Sequence, residues 1–180
     1  MPDVSDEAPP GPEPVCDPSY WRDRIALAAA HAAPPFLWPH TMVFCCTPDL
    51  WELIANRHRA ILAATVGPGA GVLDAGCGWG RLLDLMPRGW RGDYCGVDVS
   101  PDFVALARRL YPGRAFLTAD LRGRTPWADR SWDWAVVVSM RGMLRRNLPG
   151  AWERVEAELR RVARRVLVLE YDVDDGGDIL

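Results

Sequence analysis

Apolar and polar positions follow two periods along this chain, and the change of period separates predicted strands from predicted helices. Short apolar runs have the length and composition of strands buried in a parallel sheet, at residues 72–75, 94–98, 115–118, 133–139 and 166–171. Elsewhere apolar residues recur every three or four positions, which predicts helices over about 19–32, 47–65, 80–86, 101–110 and 150–165. Together these elements predict an α/β fold with a doubly wound, mostly parallel sheet of about five core strands and helices on both faces.

Composition divides the chain into four segments. Residues 1–17 are rich in proline and acid and cannot bury a core, so we expect them to be disordered. Residues 18–66 are predicted to form a helical cap or lid, and residues 67–171 the core that contains the sheet. Residues 172–180 form an acidic tail.

The clearest chemical signal lies in residues 72–83, Val-Leu-Asp-Ala-Gly-Cys-Gly-Trp-Gly-Arg-Leu-Leu. An apolar strand runs into Asp74, and glycines follow at alternate positions, 76, 78 and 80, before an apolar helix. A strand that turns sharply into a helix beneath a ligand needs the positive φ angles and the close approach that glycine allows. The stretch therefore predicts a loop that binds a nucleotide-type cofactor.

A second acid ends the next predicted strand. Asp98 follows Gly76 by 22 residues, which is one βαβ half-turn. A carboxylate at this place can accept hydrogen bonds from both ribose hydroxyls of a bound nucleoside. Dinucleotide-binding dehydrogenases share this acid, but their Gly-x-Gly-x-x-Gly loop is not matched, because Arg81 or Leu83 occupies its sixth position.

The pattern acid-x-Gly-x-Gly-x-Gly over residues 74–80 resembles the first motif of class I S-adenosylmethionine-dependent methyltransferases. The later strands agree with that family in order, because the next one ends at Asp98 and the third at Asp120-Leu121. Residues 133–139 match the family's fourth strand, whose end faces the methyl donor. The resemblance implies a Rossmann-like fold and S-adenosylmethionine as the cofactor.

The resemblance also implies roles for individual residues. Asp74 would contact the methionine end of the donor, Asp120 would bond the adenine amino group, and the Leu121 N–H would meet a ring nitrogen. Each acid could instead be a cap or turn residue, and Ser139, at the mouth of the fourth strand, could be an ordinary strand-end serine. The predicted cofactor-binding residues are Asp74, Gly76, Cys77, Gly78, Gly80, Asp98, Val99, Asp120, Leu121 and Ser139.

Three side chains are candidates for acting on the methyl acceptor, and no catalytic base is assigned. Arg141 lies where acceptors bind in the family and could recognise an acidic acceptor, or simply begin the next loop. Tyr20 and His40 could belong to a lid over the site, or serve structure alone. His58 lies on an apolar helix face and is interpreted as a core histidine. Arg81 could pair with an acid of the loop or with the donor carboxylate, or lie on the surface.

The chain departs from the family after the fifth strand and looks C-terminally truncated. Family members continue with two further strands, one of them antiparallel, which are not recognisable here. The strand at 166–171 is therefore expected to be a sheet edge, and proteins usually cover such edges. Residues 36–46, the acidic tail, or a second subunit in a homodimer could cover it.

Charge and cysteine usage narrow the class of protein. The net charge is −3, which gives no general attraction to nucleic acid. The fourth strand ends in Ser-Met-Arg-Gly, without the Asp/Asn-Pro-Pro-aromatic motif of amino-methylating nucleic-acid enzymes. The 5 cysteines lack metal-ligand spacing, so we expect reduced thiols and no metal site. No signal-peptide or membrane-spanning pattern is present, so a cytoplasmic protein without membrane contact is expected.

These observations predict a methyltransferase that transfers a methyl group from S-adenosylmethionine to an oxygen or nitrogen of a small molecule. One alternative is a non-catalytic module that binds the cofactor and docks a partner on the edge of the fifth strand. A second alternative is a nucleotide or nucleic-acid methyltransferase, and a third is a dehydrogenase.

Overall fold

The computed structural model describes residues 22–23, 25–26, 48–170 and 178–179 of the 180-residue chain. Residues 22–23 and 25–26 are helical, in agreement with the helix predicted over 19–32. The remainder of that helix, the predicted disorder of residues 1–17 and the proposed cover at residues 36–46 lie outside the described residues.

Most strands and helices of the described part of the chain follow one another in the predicted order. Its helices are α1 (Pro48–Thr65), α2 (Leu82–Leu85), α3 (Pro101–Leu110), α4 (Arg141–Asn147) and α5 (Ala151–Val162). Its strands are β1 (Val72–Ala75), β2 (Tyr94–Asp98), β3 (Ala115–Thr118), β4 (Trp132–Val138), β5 (Ala163–Leu169) and β6 (Asp178–Ile179). The bounds of α3 are those predicted, because Ser100 Oγ accepts the Phe103 N–H at 3.3 Å and Pro101 fits the first helical position.

The strands form one sheet in the order β3-β2-β1-β4-β5-β6. The first five are mutually parallel, and β6 alone is antiparallel to its neighbour. This order confirms the Rossmann-like, doubly wound architecture. It also reverses direction between β1 and β4, so a crevice opens at the carboxyl ends of these two strands, where such sheets bind ligands.

Helices pack against both faces of the sheet. Helices α1, α2 and α3 cover one face, with Leu62, Leu85 and Val104 among the buried contacts. Helices α4 and α5 cover the other, through residues that include Trp152. Arg22, in the predicted cap, lies beside the start of α3, because its Nε is 3.0 Å from Asp102 Oδ2 in an exposed ion pair.

Several predicted boundaries are wrong. Residues 163–165 were expected to end the last helix, but they begin β5 and pair with β4. Strand pairing overrides the helical pattern at these residues. The paired side chains also contact each other, since the Arg165 guanidinium carbon lies 5.3 Å from the Trp134 ring centroid. The helix predicted over 80–86 is confined to α2, because Met86 is extended ahead of Pro87. Helix α4 was not predicted.

The expectation that the fifth strand ends the sheet is also wrong. The acidic tail supplies β6, which pairs Ile179 with Leu167 and Asp178 with Val168. Of the three elements predicted to cover the edge of the fifth strand, the acidic tail is therefore confirmed at residues 167–168. A homodimer that covers the edge stays a prediction.

Gly96, in the middle of β2, is required by the packing between the sheet and the glycine loop. A Cβ at this position would lie 2.6 Å from Phe116 Cδ1 and 2.9 Å from Cys77 Sγ. We expect Gly96→Ala to lower the free energy of unfolding by about 1–3 kcal/mol through overpacking, measured by chemical denaturation. Gly67→Ala is the control, since nothing lies within 4 Å of its Cβ position. Equal stability of the two variants would contradict this account of the core.

Candidate cofactor site

The loops that follow β1 and β4 meet at the crevice. Gly76, directly after β1, has a φ of 72°. A Cβ at this position would lie 2.9 Å from Met140 Sδ, which belongs to the loop after β4. Glycine at position 76 therefore allows the two loops to touch.

The loop after β1 is held against β2 by its backbone. The N–H groups of Gly76 and Cys77 both donate to the Val97 carbonyl, at 2.8 and 2.9 Å. Gly78 and Gly80 continue the loop with φ angles of 51° and 88°. The Cβ position of Gly80 is filled by the Tyr111 ring at 2.9 Å, whereas nothing lies within 4 Å of that of Gly78. A ligand can thus approach bare backbone at Gly78.

Asp98, which ends β2 as predicted, lies against this loop. Its Oδ2 accepts the Gly78 N–H at 2.9 Å, and its Oδ1 accepts the Ser100 N–H at 2.9 Å. Burial raises the pKa of Asp98, and these backbone donors act in the opposite direction. A carboxylate has about four acceptor positions, so Asp98 retains capacity to accept from a ligand.

Asp74 lies beneath the loop and is only 2% exposed. Burial raises its pKa from 3.8 to about 7, and the charge of Asp98 acts in the same direction. The Tyr94 hydroxyl, which donates to Asp74 Oδ2 at 2.7 Å, and the charge of Arg81 lower that pKa. Asp74 therefore titrates near neutral pH. Its contact with the methionine end of a donor stays a prediction.

Asp120 and Leu121 follow β3 beside Asp98, since the Ala119 N–H donates to the Asp98 carbonyl at 3.0 Å. Leu121 is buried and Asp120 is exposed. The Arg122 guanidinium donates to both Asp120 oxygens at 2.7–3.0 Å and holds the pKa of Asp120 below its usual range. The predicted adenine ligand is thus ionised and fixed in place.

Ser139, directly after β4, combines two features of functional positions. Its φ is 59°, a left-handed conformation that is uncommon for residues other than glycine. Its N–H donates to the Leu169 carbonyl at 2.7 Å, but its buried Oγ has no hydrogen-bond partner among the described residues. An unsatisfied buried hydroxyl on a strained backbone calls for a ligand or water as its partner.

The structure describes some of the residues that were considered for contact with the methyl acceptor and leaves others undescribed. Arg141 opens α4, and its Nε lies 3.6 Å from Glu170 Oε1, so it already has a carboxylate partner. His58 is 2% exposed and its Nε2 lies 2.9 Å from the Glu170 carbonyl oxygen, which confirms its interpretation as a core histidine. Tyr20 and His40 lie outside the described residues.

Several contacts in the site were not predicted. Tyr94 reaches Asp74 from the neighbouring strand, Glu170 reaches Arg141 from the end of β5, and Trp51 of α1 stacks on Arg81. Each pair joins separate elements, so no local pattern marks it. The parallel register of β1 and β2, which places Tyr94 opposite Val72, is the signal that could have found Tyr94.

Within residues 48–170, no three His, Cys, Asp or Glu side chains are grouped to hold a metal ion. No helix in the described part of the chain has the length and apolar character needed to cross a membrane.

Known proteins resemble this chain in sequence. Residues 72–165, just over half of the chain, match a family model described as a methyltransferase domain. A Mycobacterium tuberculosis (strain H37Rv) protein named as a methyltransferase is 36% identical over 88 residues, which are 48% of this chain and 51% of that protein. The chain thus spans about half the length of the curated relative that it matches.

Solved structures share the fold. The Haloferax volcanii complex of the Trm112 methyltransferase activator and a methyltransferase contains a similar chain, with a TM-score of 0.58 and 21% identity over 81% of this chain and 59% of that one. A TehB-like SAM-dependent methyltransferase of Corynebacterium glutamicum has a TM-score of 0.53 and 20% identity over 84% of this chain and 71% of that one. At these identities the likeness concerns the fold alone.

Proposed function

This chain belongs to the class I S-adenosylmethionine-dependent methyltransferases, and we propose that it methylates an oxygen or nitrogen of a small-molecule acceptor. The observation that carries the proposal is the loop of three positive-φ glycines whose middle member, Gly78, is open to a ligand. Asp98, which bonds the Gly78 N–H, lies directly beside that open face.

The residues present fit S-adenosylmethionine. The Asp98 carboxylate would accept the two ribose hydroxyls, and Asp120 with the Leu121 N–H would hold the adenine. The bare backbone at Gly78 would allow close approach of the cofactor, and the unsatisfied Ser139 Oγ offers it a hydrogen-bonding group. When bound, this cofactor supplies a methyl group on a positively charged sulfur, ready for displacement.

The task of the chain in such a reaction is to align the two reactants and to exclude water. Ser139 is at the carboxyl end of β4, beside the crevice, and is placed to contact either the cofactor or the acceptor. Arg141 is paired with Glu170, so an acidic acceptor would have to share Arg141 with the Glu170 carboxylate or displace that carboxylate. A proton lost by the acceptor would leave to bulk solvent, since no catalytic base is assigned in the site.

Two observations support a small molecule over a nucleic acid. The net charge of −3 provides no general attraction to a polyanion. The strand-end sequence Ser-Met-Arg-Gly lacks the motif of amino-methylating nucleic-acid enzymes. The alternative, a non-catalytic binding module, depends on an open edge at the fifth strand for docking a partner. Strand β6 pairs with part of that edge, so less of it is open to a partner.

Calorimetric titration with S-adenosylmethionine and S-adenosylhomocysteine tests the cofactor assignment, and we expect dissociation constants in the micromolar range. Radiolabel transfer from methyl-labelled S-adenosylmethionine then tests the acceptor, with panels of phenols, hydroxy acids, amines, nucleosides and RNA. We expect label in a small phenol, acid or amine. Label in RNA or nucleosides alone would overturn the small-molecule proposal, and binding without transfer to any panel would favour the module.

Gly78→Ala tests directly whether the cofactor lies against the open backbone at Gly78. Alanine at a φ of 51° costs about 1–2 kcal/mol of stability, and its Cβ would occupy the open face where the cofactor is proposed to lie. We therefore expect affinity for S-adenosylhomocysteine to fall by roughly tenfold or more, the scale of about 1.4 kcal/mol.

Gly113→Ala is the matched control. Gly113 also has a positive φ, 91°, with nothing within 4 Å of its Cβ position. It precedes β3, so it lies at the amino edge of the sheet, away from the crevice. This variant should lose stability and retain affinity. Equal affinity of the two variants would show that the cofactor does not contact Gly78.

A further inference from the structure

Helix α4 concentrates positive charge beside the crevice. It follows Ser139 and Met140 at the end of β4, and its 7 residues include arginines 141, 145 and 146 and no acid. The net charge of the whole chain is −3, so this helix is opposite in charge to the protein that contains it. A local positive patch beside a crevice attracts anionic ligands.

Two charged groups meet at Gly142, in the first turn of α4. A Cβ at this position would lie 3.4 Å from Glu170 Oε2 and 3.5 Å from Arg146 Nη1. The Arg146 side chain therefore extends back along the helix toward its start, which is the direction that long helical side chains usually take. Its guanidinium is thus brought to the end of α4 that lies nearest the crevice.

Glu170 and Arg146 differ in how far their charges are balanced. Glu170 Oε1 accepts the Gly142 N–H at 3.2 Å and lies 3.6 Å from Arg141 Nε. The side chains of Glu170 and Arg141 are each only 18% exposed, so they form a largely buried ion pair. Arg146 is exposed, and among residues 48–170 no carboxylate lies within ion-pair distance of it. Its positive charge is therefore not balanced by the residues described around it.

A guanidinium in this place is suited to bind a carboxylate. Its planar fork of N–H donors matches the two oxygens of a carboxylate, and hydrogen bonds between the two charged groups are among the strong ones in proteins. The end of β4 provides a further polar group nearby, since the buried Ser139 Oγ has no hydrogen-bond partner among the described residues. An acceptor could thus be held by its carboxylate at α4 while another part of it reaches the crevice.

We propose that the methyl acceptor carries a carboxylate and that Arg146 recognises it. The inference rests on the proposed function, because it requires the acceptor to enter the crevice beside α4. The methylated group would be a hydroxyl or amine of the same acid. Its oxygen or nitrogen forms a bond to the methyl carbon as the carbon–sulfur bond breaks with its electrons left on sulfur, and its proton leaves to solvent. Glu170 opposes binding, because its negative charge lies near the same point at Gly142.

Radiolabel transfer to matched acids and amides tests this inference. Salicylate, 4-hydroxybenzoate and anthranilate are each compared with the carboxamide of the same skeleton, which keeps the hydroxyl or amine and lacks the charge. The variants are Arg146→Met and Glu170→Gln. Arg145→Met is the matched control, because Arg145 is an exposed arginine of the same helix that is not among the groups nearest to Gly142. Thermal unfolding checks the folding of each variant, and titration with S-adenosylhomocysteine checks its cofactor site.

We expect label in the acids and little in the amides. Arg146→Met should lower kcat/KM for a labelled acid by about 10- to 150-fold, mainly through KM, which is the range for a hydrogen bond to a charged group. Arg145→Met should match the wild type. Glu170→Gln keeps an oxygen for the Gly142 N–H and removes the negative charge, so it should lower the KM of the acids. Affinity for S-adenosylhomocysteine should be the same in all of these proteins.

Several results would overturn the inference and leave the proposed function intact. These are equal transfer to acids and amides, label confined to neutral phenols or amines, and an equal loss in Arg145→Met and Arg146→Met. A higher KM for acids in Glu170→Gln would also overturn it, since Glu170 would then assist binding. Wild-type protein that binds S-adenosylhomocysteine and methylates no small molecule would overturn the proposed acceptor class and this inference together.

Discussion

Asp98→Ala is expected to weaken the binding of S-adenosylhomocysteine by about 1.5–3 kcal/mol, the scale of hydrogen bonds to a charged group. The carboxylate bonds the Gly78 N–H and the Ser100 N–H, each at 2.9 Å, and would accept the ribose hydroxyls with its remaining lone pairs. Its removal therefore takes away the carboxylate that is proposed to bind the ribose, and it leaves the Gly78 N–H of the loop without this acceptor. Calorimetric titration of the folded variant measures the loss.

Two further variants separate these contributions. Asp98→Asn keeps one oxygen acceptor and loses the charge, so its affinity should fall between those of the wild type and Asp98→Ala. Asp93→Ala removes an exposed carboxylate just before β2 begins, at the amino edge of the sheet, and should leave affinity unchanged. Wild-type affinity in folded Asp98→Ala would place the ribose elsewhere.

Asp74→Asn is expected to remove a pH-dependent loss of stability. The folded chain keeps the Asp74 proton up to a pKa of about 7, whereas the unfolded chain releases it near 3.8. The stability from neutral, buried Asp74 is therefore complete below about pH 4 and declines as the pH rises to about 7. The full decline is on the order of 4 kcal/mol, at about 1.4 kcal/mol per pH unit.

Asparagine has no proton to lose at this position. The unfolding free energy of Asp74→Asn minus that of the wild type should therefore be constant below pH 4, rise between pH 4 and 7, and level off above it. Urea denaturation at a series of pH values measures this difference. Tyr94→Phe removes the hydrogen bond that favours the ionised form, so the rise should begin at the same pH and continue to a higher pH. A flat difference from pH 4 to 8 would show that Asp74 is ionised in the fold.

The parts of the fold that were predicted correctly have local causes. The cap at Ser100 and the proline at 101 start α3 whatever lies around them. The φ angles of Gly76, Gly78 and Gly80 are all positive, as a strand-to-helix turn beneath a ligand requires. The ends of β1, β2 and β3 were predicted correctly, because an apolar run must stop where polar residues begin, whereas β4 ends one residue and β5 two residues earlier than predicted.

The wrong predictions concern residues whose conformation depends on distant partners. The helical pattern continues through residues 163–165, but their backbone pairs with β4 instead. The acidic tail has no strand pattern of its own, yet residues 178–179 pair with residues 167–168 of β5. In both cases the free energy of pairing with an existing edge exceeds a weak local preference.

The sequence by itself determined the order of β1 to β5 and of the helices other than α4, the loop at residues 74–80 and the acids at the ends of β2 and β3, because these depend on local spacing. Only the tertiary structure decided how the site is charged and supported. The contacts of Tyr94 with Asp74, Glu170 with Arg141 and Trp51 with Arg81 each join elements that are distant in sequence. Burial and partner charges at such contacts set the protonation of Asp74 and fix the direction of Arg81, and no pattern along the chain encodes them.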